Sequence, residues 1–293
     1  GAGGGGQLQF RSGFEPDTAW QPHRIHGIDQ SAPSGVGDWD ALPTYLGWMW
    51  NQMAFFEPQG GANSISIVPD PLDGTNSVLH LHNVEKMTSG SSERSRSQLS
   101  LWQAESWSDV GGTNLFDQQF YRFKMLLPVE LESSYAFAER AQWYMIWESH
   151  AWDDDPGRHG IYVCKRADSS QWYFHVVQQN PEGVTTTWEN TTSQWYDPVL
   201  PDSDFGVPFG QWMTVEIFFK YHPTDGAFFV AVTPSGGSRR VMADFHGQTQ
   251  FGNKVFNQTM FKMYHHGAFI DRMGATHQYY DDFEVWTDFP PGY

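Results

Sequence analysis

Gln142-Trp143-Tyr144-Met145-Ile146-Trp147-Glu148-Ser149-His150 alternates between two kinds of side chain. Trp143, Met145 and Trp147 fall on one face, and Gln142, Tyr144, Glu148 and His150 on the other. Period-two alternation marks a strand with one face buried. The polar face is not the usual solubilising mixture. It carries an amide, a phenol, a carboxylate and an imidazole, all able to hydrogen-bond a polar ligand or exchange a proton with it. Such a strand reads as one wall of a binding cleft.

The same asymmetry recurs outward from this stretch. In Glu93 to Leu99, the residues Arg94, Arg96 and Gln98 share a face. Ile161 and Val163 oppose Tyr162, Cys164 and Arg166. Trp172, Phe174 and Val176 oppose Tyr173, His175 and Gln179. Phe261 and Met263 read as buried, leaving Lys262, Tyr264 and His266 together. Taken singly, each polar residue is an ordinary strand charge or a structural histidine. Their conjunction predicts one concave groove lined by Gln98, Gln142, Tyr144, Glu148, His150, Arg166, His175, Lys262 and Tyr264.

Strands are expected near 64–68, 77–83, 94–102, 119–127, 141–149, 160–166, 171–179, 212–220, 227–233, 240–245, 259–266 and 278–286. Turn chemistry separates them: Pro69-Asp70-Pro71, Asp73-Gly74, Pro181-Glu182-Gly183, Pro223-Thr224-Asp225-Gly226 and Pro234-Ser235-Gly236-Gly237. Helical signals are confined to about 130–140 and 38–45. Many short strands with turns between them predict an all-β jelly-roll sandwich of two antiparallel sheets. No repeat or linker interrupts the chain, so one catalytic domain is expected over 1–293, with 1–7 a flexible terminus. The weakly patterned stretch 180–210 reads as a long loop over the cleft.

Composition narrows the function. Of 293 residues, 39% are hydrophobic and 16% aromatic, with 14 Trp, 12 Tyr and 22 Phe. Aromatics suit strands, and surplus Trp and Tyr suit stacking on the C–H faces of sugars. A net charge of −17 argues against general binding to nucleic acid or anionic membranes. A locally basic cleft for an anionic sugar polymer remains compatible with it. The single cysteine, Cys164, excludes an intrachain disulfide and any zinc motif of paired cysteines. No apolar run approaches the ~20 residues that span a bilayer. No signal peptide is visible, and a secreted or periplasmic location is the expectation. Sequons stand at Asn190 and Asn257.

With these residues in view, the order of features resembles the heparin lyase I-like and glucuronan lyase-like jelly rolls over most of residues 8–289. Phe10-Arg11-Ser12-Gly13-Phe14-Glu15 is similar to their first strand, and Arg94–Gln98 to their arginine-bearing inner strand. Gly210-Gln211-Trp212 with Asp225-Gly226 resembles their Gly-x-Trp strand and hairpin. Lys262 resembles a lysine of their late inner strand, and Tyr279 to Trp286 their closing strand. In heparin lyase I a catalytic tyrosine follows that lysine four positions on. Here that position is His266, and the nearest inward tyrosine is Tyr264. A second resemblance competes. Trp147-Glu148-Ser149-His150 is similar to a strand of a fungal β-glucanase jelly-roll family with a catalytic glutamate in a Glu-Ser-His context. Where that family carries its other glutamate, in an arginine-rich strand, this chain has Gln98.

The two chemistries need different residues. Most glycosidases need two carboxylates flanking the bond, and the predicted inward faces offer one good candidate, Glu148; Glu139 and Asp153 near that strand's ends could serve, but periodicity places neither. β-Elimination on a uronate needs groups that neutralise the sugar carboxylate, a base and an acid. Gln98, Gln142 and a neighbouring Arg94 or Arg96 suit the first role, His150 or His175 the second, and Tyr264 the third. Lys262, Arg166, Tyr144, Tyr162 and His266 would contact sugars, and Glu148 would orient a histidine or hydrogen-bond the sugar. The residue types favour a polysaccharide lyase. A glycoside hydrolase using Glu148 and a non-catalytic carbohydrate-binding sandwich remain alternatives. No catalytic cofactor is expected. The resemblance implies a structural calcium tying first strand to last, through Glu15 and Asp282, with Asp153-Asp154-Asp155 as another acidic candidate.

Overall fold

The computed structural model describes residues 5–14, 23–24, 48–53, 63–89, 92–103, 117–133, 144–151, 159–165, 171–179, 195–196, 205–250 and 256–293. Its strands are β1 (Leu8–Ser12), β2 (His23–Arg24), β3 (Trp48–Met53), β4 (Ser64–Pro69), β5 (Ser77–Asn83), β6 (Met87–Ser89), β7 (Ser92–Gln103), β8 (Gln118–Leu126), β9 (Tyr144–Ala151), β10 (His159–Lys165), β11 (Trp172–Gln179), β12 (Trp195–Tyr196), β13 (Trp212–Lys220), β14 (Gly226–Pro234), β15 (Arg240–Gly247), β16 (Phe256–His266) and β17 (Thr276–Trp286). Every strand expected from alternation is present. The periodicity reading missed β1, β3 and the very short β2, β6 and β12; of these only β1 was expected, from the resemblance. Two short helices complete the described residues: α1 (Val129–Ser133), where a turn or short helix was expected, and α2 (Ala268–Met273), which was not expected. The candidate turn at 38–45 and most of the stretch 180–210 lie outside the described residues.

Two sheets form a jelly-roll sandwich. One runs β15-β14-β13-β8-β17-β5-β4, with β1 on β17. The other, here the site sheet, runs β12-β11-β10-β9-β16-β7-β3-β2, with β6 on β7. All pairs are antiparallel except the two-residue β2, which runs parallel to β3. The alternating apolar residues meet between the sheets. Leu99, Ile146, Trp147, Ile161, Val163, Phe174, Phe261 and Met263 face Leu79, Leu81, Tyr121, Phe123, Met125, Val215, Ile217 and Val285 in one continuous core. Removing such area from water contributes roughly 25 cal/mol per Å². That is why the alternation, and not local propensity, sets which face turns inward.

The core also holds polar groups. His265 is fully buried, stacked on Tyr144 with ring centroids 5.0 Å apart. Its Nδ1 donates to the His266 carbonyl at 2.9 Å, which leaves Nε2 to accept from the Thr276 hydroxyl at 2.8 Å. Burial lowers its pKa to about 4. On the outer face of the other sheet, His80 and His277 share a hydrogen bond of 3.0 Å, and Tyr279 stacks on His80 at 4.6 Å. Burial, then the neighbouring His277 and His82, lowers His80 to about 4, and burial chiefly lowers His82 and His277.

These shifts predict acid sensitivity. An unfolded histidine protonates near pH 6.5, whereas the folded His265 and His80 stay neutral to about pH 4. Between those values the unfolded chain binds more protons, so stability is full above pH 6.5 and is lost as pH falls toward 4. Asp281 opposes this, because burial and Asp282 raise it to about 6, but it is one group against four. His265 alone supplies on the order of 3 kcal/mol. Urea unfolding at pH 7 and pH 5 should show a marked loss of stability in the wild type and a smaller one in His265→Gln. Equal losses in both proteins would refute the assignment to His265.

Candidate functional site

The site sheet turns its second face away from the core. On β7 the small Ser95 and Ser97 and the bulky Leu99 point inward, so Arg94, Arg96 and Gln98 point outward. β16 pairs with β7 in an unbroken register: Lys262 opposite Gln98, Tyr264 opposite Arg96, His266 opposite Arg94. Directly opposed side chains in an antiparallel pair lie about 4.5–5.5 Å apart at Cβ. The register therefore gathers two guanidiniums, an ammonium, an amide and a phenol.

Tyr264 is the hub. Arg94 Nη1 donates to its phenolic oxygen at 2.6 Å. The guanidinium carbons of Arg94 and Arg96 lie 5.9 Å and 5.2 Å from its ring centre, and Lys262 Nζ lies 5.2 Å from it. These are cation–π distances. Arg94, Arg96 and Tyr264 keep partial exposure, whereas Gln98 and Lys262 are buried beneath them. A phenol that accepts from a guanidinium still has its own proton to give.

β9 supplies Glu148, by a route that strict alternation does not describe. Relative to β10 its register shifts between the partners of Ile161 and Tyr162, so that Ile161 opposes Trp147 while Tyr162 opposes Met145. A bulge changes which face later residues occupy. Ile146 and Trp147 both enter the core, while Met145 and Glu148 both face outward. Glu148 there forms a buried ion pair with Lys262, the two side chains 2% and 4% exposed. The floor beside them is apolar: Met145, Tyr162, Cys164 and Val177, edged by Tyr173 and Tyr264.

Several expectations need correction. Tyr144 is a core residue, not a cleft residue, because the bulge separates its face from that of Glu148. It packs on His265 and Phe269, and burial pushes its phenol well above the usual range. Met145, expected in the core, instead lies in the outer floor. His175 does face outward, but it lies on β11, beside Tyr162 and Tyr173. The row His175–Tyr162–Met145–Tyr264 crosses three strand spacings, roughly 14 Å. One sugar cannot touch both His175 and Tyr264 as base and acid. The backbone of His150 pairs with Gln258, far along β16 from Tyr264 and roughly 20 Å of strand away. Lys262 is engaged with Glu148 instead of reaching toward flanking sugars. His266 accepts from the Ala268 backbone N–H at 3.1 Å, at the start of α2. Tyr162 lies in the floor, as its parity predicts. Gln142, Arg166, Glu15 and Asp153-Asp154-Asp155 lie outside the described residues, as does the side chain of His150.

Of the two residues named for calcium, Glu15 lies outside the described residues. The Asp282 carboxylate pairs with Lys124 at 2.6 Å. Among the described residues no group of three or more His, Cys, Asp or Glu is placed to hold a metal ion. A cavity of about 1090 Å³ opens on the other sheet, against Leu126, Val129, Arg272, His277 and Tyr279. It contains no cluster of cations about a phenol, and the chemistry described above lies on the opposite face of the sandwich. No described helix is long and apolar enough to cross a membrane.

Periodicity also left three residues unnoticed. Thr276, Gln278 and Tyr280 alternate along β17 with partly exposed neighbours and point into the core. Their spacing was legible, but polar groups on an inward face carry no signal until their partners across the sandwich are known.

No protein-family profile matches the chain, and no curated protein matches its sequence. Solved structures with a similar chain path include an endo-β-1,4-glucuronan lyase from the fungus Trichoderma reesei. It is 17% identical, with a TM-score of 0.49, covering 77% of this chain and 87% of that one. Alginate lyase Aly36B is 12% identical, with a TM-score of 0.48 over 80% of this chain and 86% of its own. A GH131 β-glucanase catalytic domain from Podospora anserina is 11% identical, with a TM-score of 0.35 over 75% and 78%. At such identities the likeness concerns the fold alone.

Proposed function

We propose that the protein is a polysaccharide lyase that cleaves a uronate-containing polymer by β-elimination, with Tyr264 as the proton-transfer residue. One observation carries the reading: the Tyr264 oxygen is held by Arg94 amid Arg96 and Lys262, while Glu148 is engaged by Lys262. Arg94 and Arg96 carry the accessible positive charge and meet the substrate carboxylate, with Gln98 beneath them. Neutralising that carboxylate makes the adjacent C5 proton more acidic. With its own proton given up beforehand, the Tyr264 oxygen takes this one, the C5–H electrons become the C4–C5 double bond, and the C4–O bond breaks. The phenol then passes a proton to the departing oxygen. Nearby cations stabilise negative charge on both the phenolate and the developing enolate. A single residue serving as base and acid acts from one side of the sugar, so removal and departure are syn.

A glycosidase reading has less support. Glu148 is the only carboxylate on this face among the described side chains, and it is paired with a buried ammonium. Most glycosidases need two carboxylates. The test is a panel of polyuronates and neutral β-glucans assayed for near-ultraviolet absorbance and for reducing ends. A polyuronate should give both signals together, since elimination creates an unsaturated uronate. Reducing ends from a neutral glucan, without absorbance on any substrate, would overturn the proposal.

A further inference from the structure

We infer that Gln278, Tyr280 and Asn83, on the sheet opposite the site, are positioning residues that hold the backbone carrying Lys262, Tyr264 and Glu148. The inference rests on the reading of Tyr264 as the proton-transfer residue. All three side chains are fully buried. They make hydrogen bonds across the sandwich, where the surrounding contacts are apolar. The Tyr280 hydroxyl donates to the Ile146 carbonyl at 2.5 Å. The Gln278 amide donates to the Ile146 carbonyl at 3.4 Å, to the Lys262 carbonyl at 3.3 Å, and to the Tyr280 oxygen. Asn83 Nδ2 donates to the Met263 carbonyl at 3.1 Å.

The carbonyls they reach mark one place. β9 and β16 shift register between the pairs Phe261–Trp147 and Tyr264–Met145, so Lys262 and Met263 on one strand face Ile146 on the other. β9 shifts against β10 at the same Ile146. Bulges disrupt a ladder locally, and a buried carbonyl there needs another donor. The opposite sheet provides it. Without those donors the regular ladder competes, and a one-residue slip turns side chains to the other face. Glu148 would leave Lys262, and Tyr264 would lose its fixed distance from Arg94. The struts therefore act on the site through the backbone and touch no substrate.

Tyr280→Phe and Gln278→Met remove the donors while nearly conserving volume. Tyr121→Phe is the control: Tyr121 is equally buried in the same core, and its hydroxyl has no hydrogen-bond partner among the described residues. On a polyuronate, each strut variant should lose roughly 10–100-fold in kcat, with KM within about twofold because Arg94 and Arg96 remain; Tyr121→Phe should lose neither. Amide hydrogen exchange supplies a readout that needs no activity. Exchange should quicken at 145–148 and 262–264 in the strut variants and stay unchanged at 213–219. Exchange that rises evenly over both sheets, or kcat equal to that of Tyr121→Phe, would overturn the inference and leave an ordinary stabilising role. If the wild type makes no unsaturated product, the lyase reading fails on its own, and the exchange pattern still decides whether the struts hold this backbone.

Discussion

Tyr264→Phe is expected to lower kcat for elimination on a polyuronate by roughly 10²–10⁴-fold, the range that a positioned acid–base group contributes. The substitution deletes one oxygen and keeps the ring. The ring centre still lies 5.2 Å from both the Arg96 guanidinium carbon and Lys262 Nζ, so packing and cation–π contacts persist. Arg94 loses the acceptor it holds at 2.6 Å, but it is partly exposed and water replaces it. Thermal stability should therefore change little, and KM should rise only modestly. His175→Ala provides the contrast. Its distance from Tyr264 predicts retained elimination, with effects confined to substrate binding. A Tyr264→Phe protein that still produces unsaturated uronate at near wild-type rate would remove Tyr264 from the chemistry.

The second large effect is on stability. Glu148→Gln removes the carboxylate paired with the buried Lys262 ammonium, and breaking such a pair costs about 3–5 kcal/mol. Lys262→Met removes the ammonium that faces the buried Glu148 carboxylate. The double variant Glu148→Gln/Lys262→Met removes both charges and should recover most of the loss, because replacing a buried pair with uncharged groups of similar volume is often neutral or favourable. Chemical denaturation of the four proteins, read as a double-mutant cycle, measures the coupling. The cycle also separates the enzymatic readings. A glycosidase carboxylate should tolerate Glu148→Gln structurally while losing all sugar release from a neutral glucan. That outcome would show that the ion pair is not what Glu148 is for.

How the site is assembled explains which parts were readable. Arg94, Arg96 and Gln98 share a face with Tyr264 and Lys262 as alternation predicts, because β7 and β16 pair without a break. Reading β9 by the same rule put Tyr144 in the cleft and Met145 in the core, and the structure reverses both. A rule of period two has no term for an extra residue, and nothing within β9 announces the bulge at Ile146. The donors that accommodate it, Gln278 and Tyr280, lie 132 and 134 residues further along the chain. Likewise, His175 alternates correctly, yet its role depended on how many strands separate it from Tyr264.

Strand identity, the all-β class and the polar face of each strand follow from side-chain order, because burial acts on every second residue wherever a strand finds a partner sheet. Sheet order and register are different in kind. They arise from pairing between distant segments, and each pairing is chosen by the joint packing of both sheets. Lys262 meets Glu148 across 114 residues, and Arg94 meets Tyr264 across 170. No local pattern encodes those distances. The inward faces were written in the chain, but the phenol ringed by cations, and the carboxylate engaged by a lysine, exist only once the strands are laid side by side.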